Sequence, residues 1–455
     1  MLEKYLERLV FKIRDLSHKY DEIKERSMPV VTTQAKDLTE INQQLKVLRR
    51  DVNDLHSMLL LRSAASKLAK KNRLVFLGTG QINENVLHAY LHFYRALQQG
   101  KIEFSGEVLF IARTQIEYDL VKKFGYPCEL WKYQAPLAYY LLETKVVVLA
   151  SHAWSKWGNC LLSHCIAGAK KIQLWHGLPA KTIGASVIDD KMNFHHFASL
   201  LEDSASVDHV CIQNNNEDVI AEYARAFPSA QQHVTGDCRS DILFNEEYRK
   251  LFIKAKGGSK LQNWLNNNRD KIKILYAPTF RETPETKLQH YNKVMELISS
   301  LSGSNIRLAI KLHVACGFTP KQYAELSESC EKNGFILADN LDEVYSIFTE
   351  FDAMIADYSS IRIDYALTGN PIFLWDFDQD TYTRTTDVIN TFAELDSVSY
   401  KLPKDISIEA VERVLKDDPQ KIERYAFVDK ELKTFTNGNS AKRTIQVLLD
   451  VLNEN

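Results

Sequence analysis

Hydrophobic positions divide the chain near residue 70. Leu2, Leu6, Leu9, Ile13, Leu16, Tyr20 and Ile23 stand alternately four and three apart. After Pro29 the spacing resumes at Leu38, Ile41, Leu45, Leu48, Val52, Leu55 and Leu59. These are a/d heptad seams with charged residues between them, the pattern of a helix laid against another helix. The second seam alone would run about 33 Å. Two arrangements satisfy it: pairing with further copies of the chain, or folding back as a hairpin on the globular body. Self-association is the preferred reading, which makes residues 1–70 an oligomerisation or docking segment. A membrane-surface role is weaker, because the polar face mixes acidic and basic residues.

From Asn72 the period changes. RLVFLGTG reads as strand and turn, INENVLHAYLHFYRALQQG as an amphipathic helix, GEVLFIAR as a strand and QIEYDLVKKFG as a helix. VVVLAS and KKIQLWHG are further strands. A second α/β run begins near Lys271 with KIKILYAPTF, NKVMELISSL, IRLAIKLHV, GFILAD and LDEVYSIFTEF. Within it KIKILYAPTF, IRLAIKLHV and GFILAD are the strands and NKVMELISSL and LDEVYSIFTEF the helices, and it culminates in FDAMIADYSSIRIDYALTGNPIFLWDF. That stretch predicts a strand at Ala353–Ala356, a turn at Asp357–Ser360, a helix at Ile361–Leu367 and a strand at Pro371–Trp375. Strand, helix and strand in this order require a parallel pair with a crossover. The polar segment 237–270 reads as the connection between two α/β halves, and helices over 408–416 and 440–453 close the chain. The expected domains are 71–250 and 251–455, each a helix-flanked parallel sheet, with the last helix crossing back to the first.

Composition narrows the class. With 455 residues, 45% hydrophobic and 25% charged, the chain is long enough for two soluble cores. A formal net charge of −2 gives no argument for nucleic acid. The N-terminus lacks an uninterrupted apolar stretch, so no secretory signal is expected, and no run spans a bilayer. Seven cysteines without a CxxC pair suit a reducing, cytoplasmic compartment. Cys160, His164 and Cys165 match no zinc spacing and read as packing. Gly78-Thr79-Gly80 invites a dinucleotide reading, but no third glycine follows, and a plain tight turn is preferred.

Candidate chemistry gathers just past strand ends, where open α/β sheets bind ligands. His176 sits in one such loop, Thr279 and Arg281 in a second, Lys311 and His313 in a third. Asp357, Ser359 and Ser360 sit in a fourth, where backbone N–H groups at a helix start favour an anion. Arg281 and Lys311 beside that turn suit a diphosphate. The histidines supply proton transfer near neutral pH. No acidic cluster suited to Mg²⁺ is present, so no metal is expected and the protein itself neutralises charge. Phosphoryl or glycosyl transfer from a nucleotide-activated donor fits these parts better than serine hydrolysis, for which a G-x-S-x-G is lacking.

Five segments in order carry a resemblance: Trp175-His176-Gly177 with Lys181 and Gly184, then Gly236, Arg239, Asp241 and Leu243, then Ala277–Arg281. Lys311-Leu312-His313 and Asp357–Ser360 with Asp364 complete them, and TNGNSAKR follows near the end. Together they resemble the CDP-glycerol glycerophosphotransferases, the teichoic-acid primases and polymerases and their capsule-polymerase relatives. The likeness covers roughly residues 72–450. It implies two Rossmann-like domains of the GT-B type facing across a cleft, with the nucleotide held mostly by the second. It also implies that His176 is the general base for the acceptor hydroxyl, with Trp175, Gly177 and Lys181 on the acceptor side. By the same carry-over His313 contacts donor phosphates, and Ser359 and Ser360 grip the diphosphate. Arg281 is placed on phosphate by its chemistry, with Thr279 and Asp357 in the same donor loops. The chain departs from the family where Arg-x-His-Pro becomes Lys311-Leu312-His313-Val314, and where Arg362 brings an extra cation after the serines.

The expected activity is transfer of glycerol phosphate, or a related polyol phosphate, from a CDP-activated donor to a hydroxyl of a glycan or polyol-phosphate acceptor. CMP is released, no cofactor is required, and a lipid-linked acceptor at the inner face of the cell membrane is among the options. The expected product is a cell-surface polymer of the teichoic-acid or capsule kind. Rival readings are a GT-B glycosyltransferase, a nucleotide-sugar epimerase, and a coiled-coil scaffold with a degenerate transferase body.

Overall fold

The computed structural model describes residues 15, 19, 33–131, 135–150, 164–179, 182–188, 192–313, 315–339, 343–378, 380, 393–404 and 408–454. The first heptad seam, Lys181, Val314 and Cys160 lie outside the described residues. The chain forms two compact units.

One unit comprises residues 1–70, 133–144 and 154–169. Its main described element is a single helix, Thr33–Lys67, about 52 Å long at 1.5 Å per residue. Along the expected second seam Leu45 is 5% exposed, whereas Leu59 is 40% exposed and its neighbour Leu60 58%. The helix end is secured by Lys70, whose Nζ donates to the carbonyls of Ala65 at 2.7 Å and Leu142 at 2.6 Å. A cation over terminal carbonyls satisfies groups that the helix cannot pair itself. In the same unit Cys165 is 1% exposed.

The other unit comprises residues 71–132, 145–153 and 170–455 and holds two parallel sheets. Among the described residues the first has seven strands, β1 (Lys71–Leu77), β2 (Glu107–Ala112), β3 (Cys128–Leu130), β4 (Thr144–Leu149), β5 (Lys170–Gln173), β6 (His209–Ile212) and β7 (Gln231–Val234). Their order is β3-β2-β1-β4-β5-β6-β7. The second has six: β8 (Ile272–Tyr276), β9 (Ile306–Ile310), β10 (Ile336–Leu337), β11 (Ala353–Ala356), β12 (Ile372–Leu374) and β13 (Tyr400–Lys401). Their order is β10-β9-β8-β11-β12-β13. The central strands are apolar and sealed on both faces: Leu74 to Leu77 and Ala353 to Ala356 are each 0% exposed. Runs of that kind form where helices cover both sides of a parallel sheet. Pairing of β11 with both β8 and β12 brings the ends of three strands together.

The segment expected as a connection is more ordered than its composition suggests. Helices Glu246–Lys256 and Lys260–Asn267 occupy it, started by side-chain caps from Asn245 to the Tyr248 amide and from Ser259 to the Gln262 amide. They bury Tyr248, Phe252, Leu261 and Leu265. Polar content hid a narrow apolar stripe. In the opposite direction, the helix expected over LDEVYSIFTEF is a 3-10 turn at Tyr345–Glu350 among the described residues. There the buried Glu343 carboxylate accepts from the Ser346 amide at 3.1 Å and from its hydroxyl, tying the chain back at the turn's start.

The chain finishes on the first half. Helix Ser440–Asn453 receives its cap from Asp241, whose carboxylate accepts from the Ser440 and Ala441 amides at 3.1 and 2.8 Å. Neither Asn439 nor Ser440 supplies a side-chain cap. At the far end Lys145 Nζ donates to the Leu452 carbonyl at 2.7 Å.

Candidate functional site

Four loops at the carboxyl ends of β5, β8, β9 and β11 hold the residues singled out from the sequence. The first is Trp175-His176-Gly177. Trp175 adopts φ 54°, and among the described residues it is the one non-glycine with positive φ. A bulky residue is strained there, so its surroundings must fix it. They do so from both sides: the Trp175 amide donates to Gln173 Oε1 at 3.0 Å, and its carbonyl accepts from Asn85 Nδ2 at 3.1 Å. Its ring lies 4.2 Å from that of His176 and edge-on to Phe227. Gly177 follows at φ 127°, where an added Cβ would come within 2.4 Å of Arg239 Nη2. Only glycine admits that guanidinium.

The loop leaves His176 exposed while fixing its ring. Nδ1 lies 3.3 Å from the Ala150 carbonyl. A carbonyl can only accept, so Nδ1 carries the proton and Nε2 is the basic nitrogen. His313, also exposed, uses Nδ1 in the reverse sense, accepting from the Ala315 amide at 3.1 Å. Its proton therefore resides on Nε2, a donor suited to an anionic oxygen. Its ring rests 4.9 Å from that of Phe280.

Beneath the donor-side loops lies a charged knot. Asp357 Oδ1 accepts from the amides of Thr279 at 2.8 Å and Ser359 at 3.2 Å. Its Oδ2 accepts from Arg281 Nη1 at 2.9 Å. Arg281 also reaches Asp378 through Nε at 2.5 Å and Nη2 at 3.0 Å, and donates to the Thr279 carbonyl at 2.8 Å. Arg281 is 1% exposed. The expectation that it touches phosphate is therefore revised: its guanidinium is committed to two buried carboxylates and holds three strand ends in register. Asp357 is likewise interior, and burial pushes its carboxyl above the usual range against the pull of Arg281. Thr279 is 5% exposed, and its amide serves the same knot.

On top of the knot Ser360 is exposed and Ser359 half-buried, and Ser360 makes no side-chain bond to the helix it precedes. That helix spans only Ile361–Ala366, so the hydroxyls and turn amides carry the anion argument more than a dipole does. Lys311 Nζ donates to the Asp339 carbonyl at 2.6 Å. Arg362, expected near phosphate, is paired instead with Asp396.

The two halves are joined by an ion pair. Arg239 Nη2 donates to Asp364 Oδ2 at 2.9 Å, with both side chains about 5–6% exposed. Tyr345 donates its hydroxyl to the same oxygen at 2.9 Å, and its ring lies 4.6 Å from the guanidinium carbon. Burial opposes charge on Arg239, but Asp364, Tyr345, Asp237 and Glu84 together hold its pKa above the ordinary value. Burial pushes Asp364 up to about 6 and Glu84 up to about 7 despite Arg239.

The Gly78-Thr79-Gly80 turn is closed to phosphate by the protein's own carboxylate. Glu117 accepts from the amides of Gly80 and Arg113 at 2.8 Å each and of Thr114 at 3.3 Å. The Gly80 amide is thus already paired within the protein, as in a plain tight turn. Asn85, Gln173, Tyr345 and Asp378 were not found from the sequence. Asn85, Tyr345 and Asp378 each act through a partner in a different element, and Gln173 through the Trp175 amide two residues on. Among the described residues no group of three or more His, Cys, Asp or Glu is arranged to hold a metal ion.

Comparison with known proteins follows the same line. The family model for CDP-glycerol:poly(glycerophosphate) glycerophosphotransferase matches residues 130–450. The chain is 29% identical over 285 residues to the teichoic acid ribitol-phosphate polymerase TarK of Staphylococcus aureus, covering 61% of this chain and 52% of that protein. It is 25% identical over 234 residues to a teichoic acid poly(glycerol phosphate) polymerase of Staphylococcus epidermidis, covering 47% and 29%. The chain thus spans about half or less of the length of these curated relatives. The solved structure of the wall teichoic acid polymerase TagF superposes with a TM-score of 0.59 at 19% identity, over 90% of this chain and 98% of that one. At that identity the likeness establishes the fold, two Rossmann-like halves of the GT-B type.

Proposed function

The chain belongs to the CDP-glycerol:poly(glycerophosphate) glycerophosphotransferase family, and from that premise we propose that it transfers a polyol phosphate from a CDP-activated donor to an acceptor hydroxyl. Glycerol phosphate is the first candidate, and ribitol phosphate the second, because its relatives include polymerases named for each. The acceptor is a hydroxyl of a glycan or of a growing polyol-phosphate chain in wall-polymer synthesis.

The observation that carries this reading is the opposite use of Nδ1 by His176 and His313. Transfer needs one group that takes a proton and another that stabilises phosphate oxygens. In the proposed step the acceptor oxygen attacks the distal phosphorus in line. Its proton passes to His176 Nε2, the new phosphoester bond forms, and the bridging P–O bond breaks. The electron pair leaves with CMP. His313 Nε2–H and the Ser359 and Ser360 hydroxyls hold the developing charge on the donor. Arg281, Asp357 and Asp378 keep that cradle in shape without touching the substrate.

The test is incubation with CDP-glycerol or CDP-ribitol and a polyol-phosphate-primed acceptor, followed by assay of CMP and mass analysis of the product. Release of CMP with a mass gain of one or more polyol phosphates is expected. UDP release from a nucleotide sugar, with no CMP from either donor, would replace this reading by glycosyl transfer.

A further inference from the structure

Beyond the two histidines, we infer that Asn85 is a positioning residue that aims His176, an inference that rests on His176 being the base. Asn85 is the first residue of helix Asn85–Gln98, 90 positions before the loop it holds, and it is 1% exposed. Its amide is fully used. Nδ2 donates to the Trp175 carbonyl at 3.1 Å and to Asp237 Oδ1 at 2.6 Å, while Oδ1 accepts from the Arg239 amide at 3.1 Å. Reversing the amide would set its oxygen against two acceptors and its nitrogen against a donor, so the orientation is determined.

Two consequences follow for the residue between. Trp175 keeps its left-handed backbone because Asn85 holds its carbonyl and Gln173 its amide. Gly177, on the other side, lies against Arg239, whose own amide is bonded to Asn85. His176 is thus held from both flanks by one polar unit. Asp237 anchors that unit, accepting also from Gln213 Nε2 at 3.3 Å, while Gln213 Oε1 accepts from the Tyr223 hydroxyl at 2.8 Å. Remove the Asn85 amide and the strained backbone of Trp175 loses the donor that holds its carbonyl. The loop then relaxes toward negative φ, the His176 ring leaves the Ala150 carbonyl, and Nδ1 no longer keeps the proton.

The experiment compares Asn85→Leu, which keeps the volume and loses the bonds, with wild type and with His176→Ala. Displacing a reacting group by about 1 Å costs on the order of 100-fold. The expected result is a fall of that size in kcat for Asn85→Leu with donor KM within about threefold, and no further fall when it is added to His176→Ala. A merely structural role would lower both backgrounds by the same factor, and that outcome overturns the inference. Histidine-selective ¹⁵N spectra, assigned with His176→Ala, give a readout independent of turnover. His176 should be an Nδ1–H tautomer in wild type and lose that state in Asn85→Leu, and an unchanged tautomer overturns the inference. If the wild-type chain releases no CMP, the transferase reading fails on its own and the spectra still decide the role of Asn85. Should Asn85→Leu not fold, Asn85→Ser removes the same bonds with less apolar bulk and takes its place.

Discussion

His176 and His313 use the same ring nitrogen in opposite senses, the one donating from Nδ1 to a carbonyl 3.3 Å away and the other accepting at Nδ1 from an amide 3.1 Å away. Glutamine can replace a ring N–H as a donor but cannot take a proton at neutral pH. We expect His176→Gln to lose at least about 100-fold in kcat, the lower bound for general base catalysis. His313→Gln should keep much more of its activity than His313→Ala. Steady-state CMP release from the four proteins checks this, and equal losses for the two glutamine variants would remove the division of labour.

Arg281 offers a second distinction. A phosphate ligand, when truncated, weakens donor binding and leaves the fold alone. A guanidinium locked between Asp357 and Asp378 does the reverse, because its loss strands two buried carboxylates. Breaking a buried pair by removing one partner costs about 3–5 kcal/mol. We expect Arg281→Ala to lose stability of that order in denaturant titration. Wild-type stability with a raised donor KM would return Arg281 to the phosphates.

The Arg239–Asp364 pair joins residues 125 apart in sequence, one in the 3-10 turn Cys238–Leu243 that follows β7 and the other in the helix Ile361–Ala366 that follows β11. If it holds the halves together, its two ends are not independent. Arg239→Met and Asp364→Leu should each destabilise by about 3 kcal/mol or more, and the double variant by clearly less than their sum. Chemical denaturation of the four members of this cycle measures the coupling, and simple additivity would show that each residue acts separately.

What the sequence made legible was local. The strand–turn–helix–strand at 353–374 follows from periodicity within about twenty residues, and the four loops bearing His176, Arg281, His313 and Ser359 follow from where apolar runs stop. What stayed hidden was pairing at a distance. Arg281 in a strand-end loop looks the same whether it meets a phosphate or an aspartate 97 residues on. Asp241 caps a helix that begins 199 residues later, and Asn85 gave no signal at all, since a helix-start asparagine usually caps its own helix. Those side chains became readable only once the two sheets set their partners.

Acid stability supplies the last prediction. His88 and His92 lie inside the first half, where burial, the neighbouring imidazole and Arg239 hold His88 at about 3, and burial with Arg95 holds His92 at about 4. In the second half burial and Arg281 hold His290 at about 3. Each is depressed from an unfolded value of 6.5, so the unfolded chain binds protons first as pH falls. Their contribution is complete above about 6.5 and is lost as pH drops toward 3–4. The buried carboxyls run the other way: Glu84 and Glu117 at about 7 contribute below the ordinary carboxylate range and lose that contribution as pH rises through 7. His92 separates the two effects, because its Nε2 is buried with no hydrogen-bond partner and its ring packs 4.1 Å from Tyr248. An apolar side chain of similar size removes the proton-binding site and strands no donor or acceptor. Unfolding free energy of His92→Leu, measured by denaturant titration from pH 7.5 to 4.5, should match wild type within about 1.5 kcal/mol at the upper end. Below about pH 6.5 the difference should move in the variant's favour by a margin that widens with each step down. A constant difference across that range would mean that His92 is not held neutral by its burial.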